Sequence, residues 1–122
     1  NLDRAVANFA RHTKPGGVII VEPWLKEEDL IPGHVSLESA SNDHLAVSRM
    51  GKLSKEGNIT TLDMHHMLST DSGIEHFVEQ HQLALYTDEE FIDAFSKAAL
   101  ENVEIDQEGL IGRRLFIATK PM

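Results

Sequence analysis

Pro15-Gly16-Gly17 followed at once by Val18-Ile19-Ile20-Val21 constrains this chain more than any other stretch. Upstream, Leu2, Ala5, Val6, Phe9 and Ala10 recur at helical spacing, which predicts an amphipathic helix over residues 2–12. Proline cannot continue that helix, and two glycines accept backbone angles closed to other residues. Four consecutive β-branched residues then suit a strand buried on both faces, typically a parallel strand of an α/β sheet. Pro23 removes a ladder donor and closes the strand at Glu22-Pro23-Trp24. Helix, tight turn and central strand make half of a doubly wound unit.

The middle of the chain changes character. Residues 25–41 look irregular, with acidic Glu27-Glu28-Asp29 and a turn at Pro32-Gly33. His44 to Leu53, Asn58 to Leu68 and Ile74 to Leu85 are strand-length segments joined by short glycine-containing connections, which predicts an antiparallel meander. In the second segment Thr60, Leu62, Met64, His66 and Leu68 share the more apolar face, so that face is expected to point to the core. Thr87 with Glu90 three residues later is a capping box, and Phe91, Ile92, Phe95, Ala98 and Ala99 form the stripe of a helix to about Leu100. Val103 and Ile105 suggest a strand, Gly109 and Gly112 a turn, and Leu115 to Ala118 a last strand.

Composition narrows the function classes. The 122 residues carry a formal charge of −9, which argues against nucleic acid or an anionic membrane as the main partner. No window approaches the ~20 apolar residues of a membrane span, so a cytoplasmic location is expected. With 41% hydrophobic residues the chain can bury a core, and with no cysteine it has neither disulfides nor thiolate chemistry.

Seven histidines raise the question of a metal. His65 and His66 are adjacent and point to opposite faces of a strand, as do His76 and His81, five apart. Only a pair across strands, such as His65 with His76 or His81, could chelate, and no HExxH motif is present. No G-x-S-x-G elbow supports hydrolysis. The Pro-Gly-Gly turn precedes a strand, the reverse of a phosphate cradle. Two features carry more. Trp24 stands just past the carboxyl end of the strand, where ligands of open α/β sheets bind, and can either stack on a ligand or plug the core. Gly112-Arg113-Arg114 before the last strand can offer a bidentate contact to phosphate or carboxylate, or simply a solvated charge.

The run from Phe9 to Trp24 resembles the helix-PGG-strand segment of class I S-adenosylmethionine-dependent methyltransferases. More narrowly, Glu22-Pro23-Trp24, Arg49, Glu56-Gly57-Asn58, His65, His76-Phe77, His81 and Gly112-Arg113 with Leu115-Phe116 are similar, in that order, to the nucleotide-linked amino-sugar N-methyltransferases of deoxysugar biosynthesis. The resemblance covers essentially the whole chain. It implies an α/β fold: the carboxyl-terminal half of a Rossmann-like methyltransferase sheet with an inserted antiparallel β-meander. Residues 1–122 would be one partial domain, with helix and central strand in 1–24, the substrate-side meander in 42–86, and a helix and two strands in 87–122. The cofactor-binding half, with its Gly-rich loop, would lie ahead of Asn1.

In such enzymes a neutral amine attacks the methyl group of a sulfonium, and close positioning of the two supplies much of the acceleration. The resemblance implies that Trp24, Arg49, His65, His81 and Arg113 line or support a sugar-nucleotide pocket, with Arg49 and Arg113 as diphosphate or hydroxyl contacts. Arg114 stands where the family usually has a small residue, and Leu25 where a second aromatic is common. The family's cofactor is S-adenosylmethionine; none is expected to bind this chain alone, and no metal is expected. An exposed edge on strand 18–21 would invite a second copy of the chain or the missing amino-terminal half. Two other readings stand beside this one: a non-catalytic binding or oligomerising module, and a metal-dependent small-molecule binder.

Overall fold

Asn1 opens the first helix by accepting the Arg4 N–H on its side-chain oxygen, and a computed structural model describes all 122 residues from there. The chain divides into two units, residues 1–28 with 86–122, and residues 29–85.

The first unit contains α1 (Leu2–His12), β1 (Val18–Val21), α2 (Asp88–Lys97), β6 (Glu101–Asp106) and β7 (Leu115–Thr119). Its sheet has the order β1-β7-β6, with both pairs antiparallel. The Pro-Gly-Gly turn is tied to the end of β7. Gly16 donates to the Lys120 carbonyl, Lys120 donates back to the Gly17 carbonyl, each at 2.9 Å, and the Lys120 ammonium donates to the Ala10 and Thr13 carbonyls at 2.8 Å. The open carbonyls at the end of α1 are thereby satisfied by a cation, which also suits the helix dipole. Gly16 is left-handed at φ 74°, and a Cβ on Gly17 would sit 2.6 Å from Thr13 Cγ2.

Val6 and Ala10 of α1, Phe91, Ala94 and Phe95 of α2, Ile19 of β1 and Phe116 and Ala118 of β7 form one core. Ile19 pairs with Ala118 and Val21 with Phe116, so the helices cover a single face of the sheet. The parallel, doubly buried strand expected from the sequence is not formed among the residues of this chain. Within this chain β1 has only an antiparallel partner, and Val18 and Ile20, on the face without helices, are 56% and 60% exposed.

Thr87 and Glu90 form the expected capping box at the start of α2. At its other end the Leu100 N–H reaches the Phe95 carbonyl and the Ala99 N–H the Ser96 carbonyl. This is a Schellman motif, with Ala99 at φ 54° in the place usually held by glycine.

The second unit is a meander, β2 (Val35–Ser41), β3 (Ala46–Glu56), β4 (Ile59–Thr70) and β5 (Gly73–Ala84), paired in sequence order. Residues 35–41 thus form a strand where the sequence looks irregular, and a short 3₁₀ turn covers Glu27–Asp29. Serines and Glu38 are weak strand formers; seven cross-strand pairs to β3 hold the segment extended instead. The face of β4 carrying Thr60, Leu62, Met64, His66 and Leu68 is the more buried one, as the alternation predicts, with Thr60 and Met64 buried and Leu53 of β3 beside them.

Candidate functional site

The carboxyl end of β1 and the loop before β7 build the first unit's polar site. Glu22 accepts the Leu110 N–H at 2.8 Å, which fixes the loop against the strand end. Gly109, at φ 61°, makes the tight turn possible: a Cβ there would lie 1.7 Å from the Arg113 carbonyl oxygen. The outcome is that the Arg113 guanidinium stands 4.5 Å from the centre of the Trp24 ring. This is a cation–π contact. The indole face beneath Arg113 is occupied by the guanidinium, a group whose N–H fork suits an oxyanion.

Arg114, next in sequence, does the opposite. Its side chain is buried, donates to Asp88 Oδ1 and to the Tyr86 carbonyl, both at 2.6 Å, and lies over Phe91 and Phe116. Burial raises the Asp88 pKa, but hydrogen bonds from Arg114 and then Gln107, with the charges of Arg114 and Lys26, outweigh it and leave the carboxyl below its ordinary value. Arg114 is an anchor for the start of α2, and the solvated-charge alternative does not describe it. Neighbouring residues entering a strand face opposite ways, so one Arg of the pair had to turn inward. Its partner, 26 residues away, carried no sequence signal.

In the second unit the register separates the remaining predicted residues. Arg49 pairs across to His66 and is bonded to Glu38 on the buried face of the sheet. His81 lies on that same face, opposite Leu62, with its Nε2 3.6 Å from Glu79 Oε2. His66 stacks on Phe77 at 4.6 Å; its buried Nε2 is 3.4 Å from Glu79 Oε2 but has no hydrogen-bond partner. His65 is on the other face, opposite Met50 and Val78. The idea that His65 and His81 face one cavity therefore fails on strand alternation. His65 instead meets His76, with Nδ1 and Nε2 3.1 Å apart and the rings stacked. Sequence reasoning missed the roles of Glu38, His66 and Glu79, which only the register brings beside Arg49 and His81. No cluster of three or more His, Cys, Asp or Glu able to hold a metal is present, and no helix is long and apolar enough to cross a membrane.

The antiparallel β1-β7-β6 sheet with helices on one face, joined to a long meander, has known counterparts. The chain is 38% identical over 116 residues to a dTDP-3-amino-3,6-dideoxy-alpha-D-glucopyranose N,N-dimethyltransferase of Streptomyces fradiae, across 94% of this chain. It matches the crystal structure of Streptomyces venezuelae DesVI with a TM-score of 0.88 and 37% identity over 99% of this chain. The likeness is to the carboxyl-terminal half of the amino-sugar N-methyltransferases. A third match, at TM-score 0.83 and 31% identity over 97% of this chain, is CalS10, a SAM-bound amino pentose methyltransferase from Micromonospora echinaspora. The chain spans about half the length of each of these relatives: 45%, 51% and 50%. No protein-family model matches it. The α/β methyltransferase fold is shared, and its carboxyl-terminal half accounts for both sheets.

Proposed function

We propose that this chain is the substrate-side half of an S-adenosylmethionine-dependent N-methyltransferase acting on a nucleotide-linked amino sugar, and that it does not transfer methyl groups alone. The observation that carries this reading is the near-complete match of the chain to half of sugar N-methyltransferases, at 37% identity to DesVI. Both helix N-termini support the second clause. Asn1 caps α1 and the Thr87–Glu90 box caps α2, so neither offers the open glycine-rich turn that cradles a cofactor. The residues present do not fit the methyl donor.

This chain's part is recognition. Arg113, held over Trp24, offers its N–H edge to the sugar-nucleotide diphosphate. Arg49 and His81, on one face of the meander, are the polar contacts of the second unit. The free edge of β1, with exposed Val18 and Ile20, takes a further strand from the rest of a methyltransferase sheet or from a second copy.

The test has three arms. Calorimetry of the chain with S-adenosylmethionine is expected to give no binding heat, and micromolar affinity overturns the claim of inactivity alone. Fusion to the amino-terminal half of a relative such as DesVI is expected to methylate a dTDP-amino sugar, with Arg113→Ala raising KM at least tenfold. A folded fusion that methylates no amino sugar overturns the substrate class. Sedimentation showing a clean monomer at high concentration removes the strand-addition reading.

A further inference from the structure

We propose that the face of the meander opposite Arg49 and His81 holds a monovalent copper site built from His65, His76, Met50 and Met67. The register sets the four in a staggered row across β3, β4 and β5. Met50 is the cross-strand partner of His65, and Met67 is the partner of His76. His65 and Met67 are two apart on β4, so all four side chains rise from one face. The imidazoles already touch, with His65 Nδ1 and His76 Nε2 3.1 Å apart. Two imidazoles on one metal at 2.0–2.1 Å from nitrogen stand about 3.3 Å apart in tetrahedral geometry. The pair is thus at chelating distance before any backbone movement.

Rotation about χ2 aims both lone pairs at one ion, and that torsion is soft for histidine. One nitrogen of the contact carries a hydrogen; moving it to the other nitrogen of the same ring is a tautomer change with no net proton loss. Both histidines are exposed, and Met50 and Met67 are 58% and 51% exposed, so an ion has open access.

The chemistry selects the metal. Zinc takes Cys, His and carboxylate ligands, and no group of three of these gathers here. Thioethers are soft donors that prefer Cu(I), and imidazole also suits copper. Two of each make a four-donor set for Cu(I).

The test is anaerobic Cu(I) titration of the whole chain against a chromophoric Cu(I) chelator, with the methionine methyl resonances followed by NMR. One equivalent is expected to be retained, with the Met50 and Met67 methyls shifting together. His65→Gln with His76→Gln is expected to weaken retention at least a hundredfold, and Met50→Leu with Met67→Leu about tenfold, while His12→Gln leaves it unchanged. Circular dichroism checks that each variant keeps its strands, and the Leu pair keeps the testing possible if the Gln pair does not fold. No retention of Cu(I), retention indifferent to either pair, or tighter binding of Zn(II) than of Cu(I) each overturns the site.

Discussion

The two units of this chain are stable for different reasons. Residues 1–28 with 86–122 bring two helices onto one face of a three-stranded sheet and bury an aromatic core of Phe91, Phe95 and Phe116, the first stacked on the third at 4.4 Å. Residues 29–85 contain four strands paired in sequence order, with no helix among their own elements, and one face of the sheet leaves Leu37, Met50, Met67, Ile74 and Val78 exposed. The first unit rests on apolar burial between two layers, the second on ladder hydrogen bonds and cross-strand pairs. A single substitution should therefore cost far more in the first than in the second. Because the units differ, their unfolding is best followed by hydrogen exchange at named amides, not as one transition.

The largest effect is expected at Phe95, whose side chain is fully buried between α1 and the aromatic cluster. Phe95→Ala should remove about 3–5 kcal/mol from the protection of α1, α2 and β7 amides. If β3 and β4 amides lose protection by the same amount, the two units unfold together and the contrast fails. Asp88→Asn comes next. It leaves the Arg114 guanidinium buried without its carboxylate partner, and because the Asp88 side chain is a quarter exposed the cost should be about 2–3 kcal/mol, below that of a fully buried pair.

The same carboxylate gives a pH signature. The Asp88 pKa is lowered in the folded chain, so its contribution is present above the ordinary carboxylate range and is lost as pH falls through the folded value. Stability of the first unit should thus decline on acidification below about pH 4, the ordinary Asp value. Asp88→Asn should flatten that decline, which an acid titration followed at the α2 amides would record. An unchanged slope would mean that the pair does not couple to folding.

What could be read from the sequence follows the range of the cause. Local causes were legible: the capping box of Thr87 and Glu90, the Pro-Gly-Gly stop and the alternation of β4 need only neighbours along the chain. The Schellman end of α2 was not, because Ala99 carries no glycine to announce it. Strand β2 was hidden since its serines prefer turns, and only pairing with β3 holds it extended. The site divided in the same way. Trp24 and Arg113 were each legible as candidates, but their stacking depends on Gly109 and Glu22 folding the loop onto the strand end. The placement of His65 and His81 on opposite faces depends on parity along β4 and on the β4–β5 register together, which no count along one strand supplies.

Ala99 offers a smaller change of opposite sign. At φ 54° its Cβ crowds the following carbonyl, and Ala99→Gly should stabilise the first unit by up to about 1 kcal/mol. Thermal unfolding compared with the parent chain checks it, and a loss of stability would mean that the entropy of the unfolded glycine outweighs the relieved strain.

The smallest effect is expected at the ion pair most visible in the second unit. Arg49 and Glu38 are direct cross-strand partners, and their contact is short, yet the two side chains are 41% and 65% exposed. In water such a pair gains little Coulomb energy and loses rotamer freedom in two long side chains, so Arg49→Gln should cost less than about 1 kcal/mol. The strand beneath does not depend on it, since seven backbone pairs hold β2 to β3 whatever the side chains do. Stability and recognition then separate at this residue. If Arg49 serves a sugar nucleotide, Arg49→Gln in an active fusion should raise KM severalfold while the β2 and β3 amides keep their protection. A loss of protection comparable to that of Asp88→Asn would instead make Arg49 a structural residue, and would erase the difference between a unit held by its core and one held by its ladders.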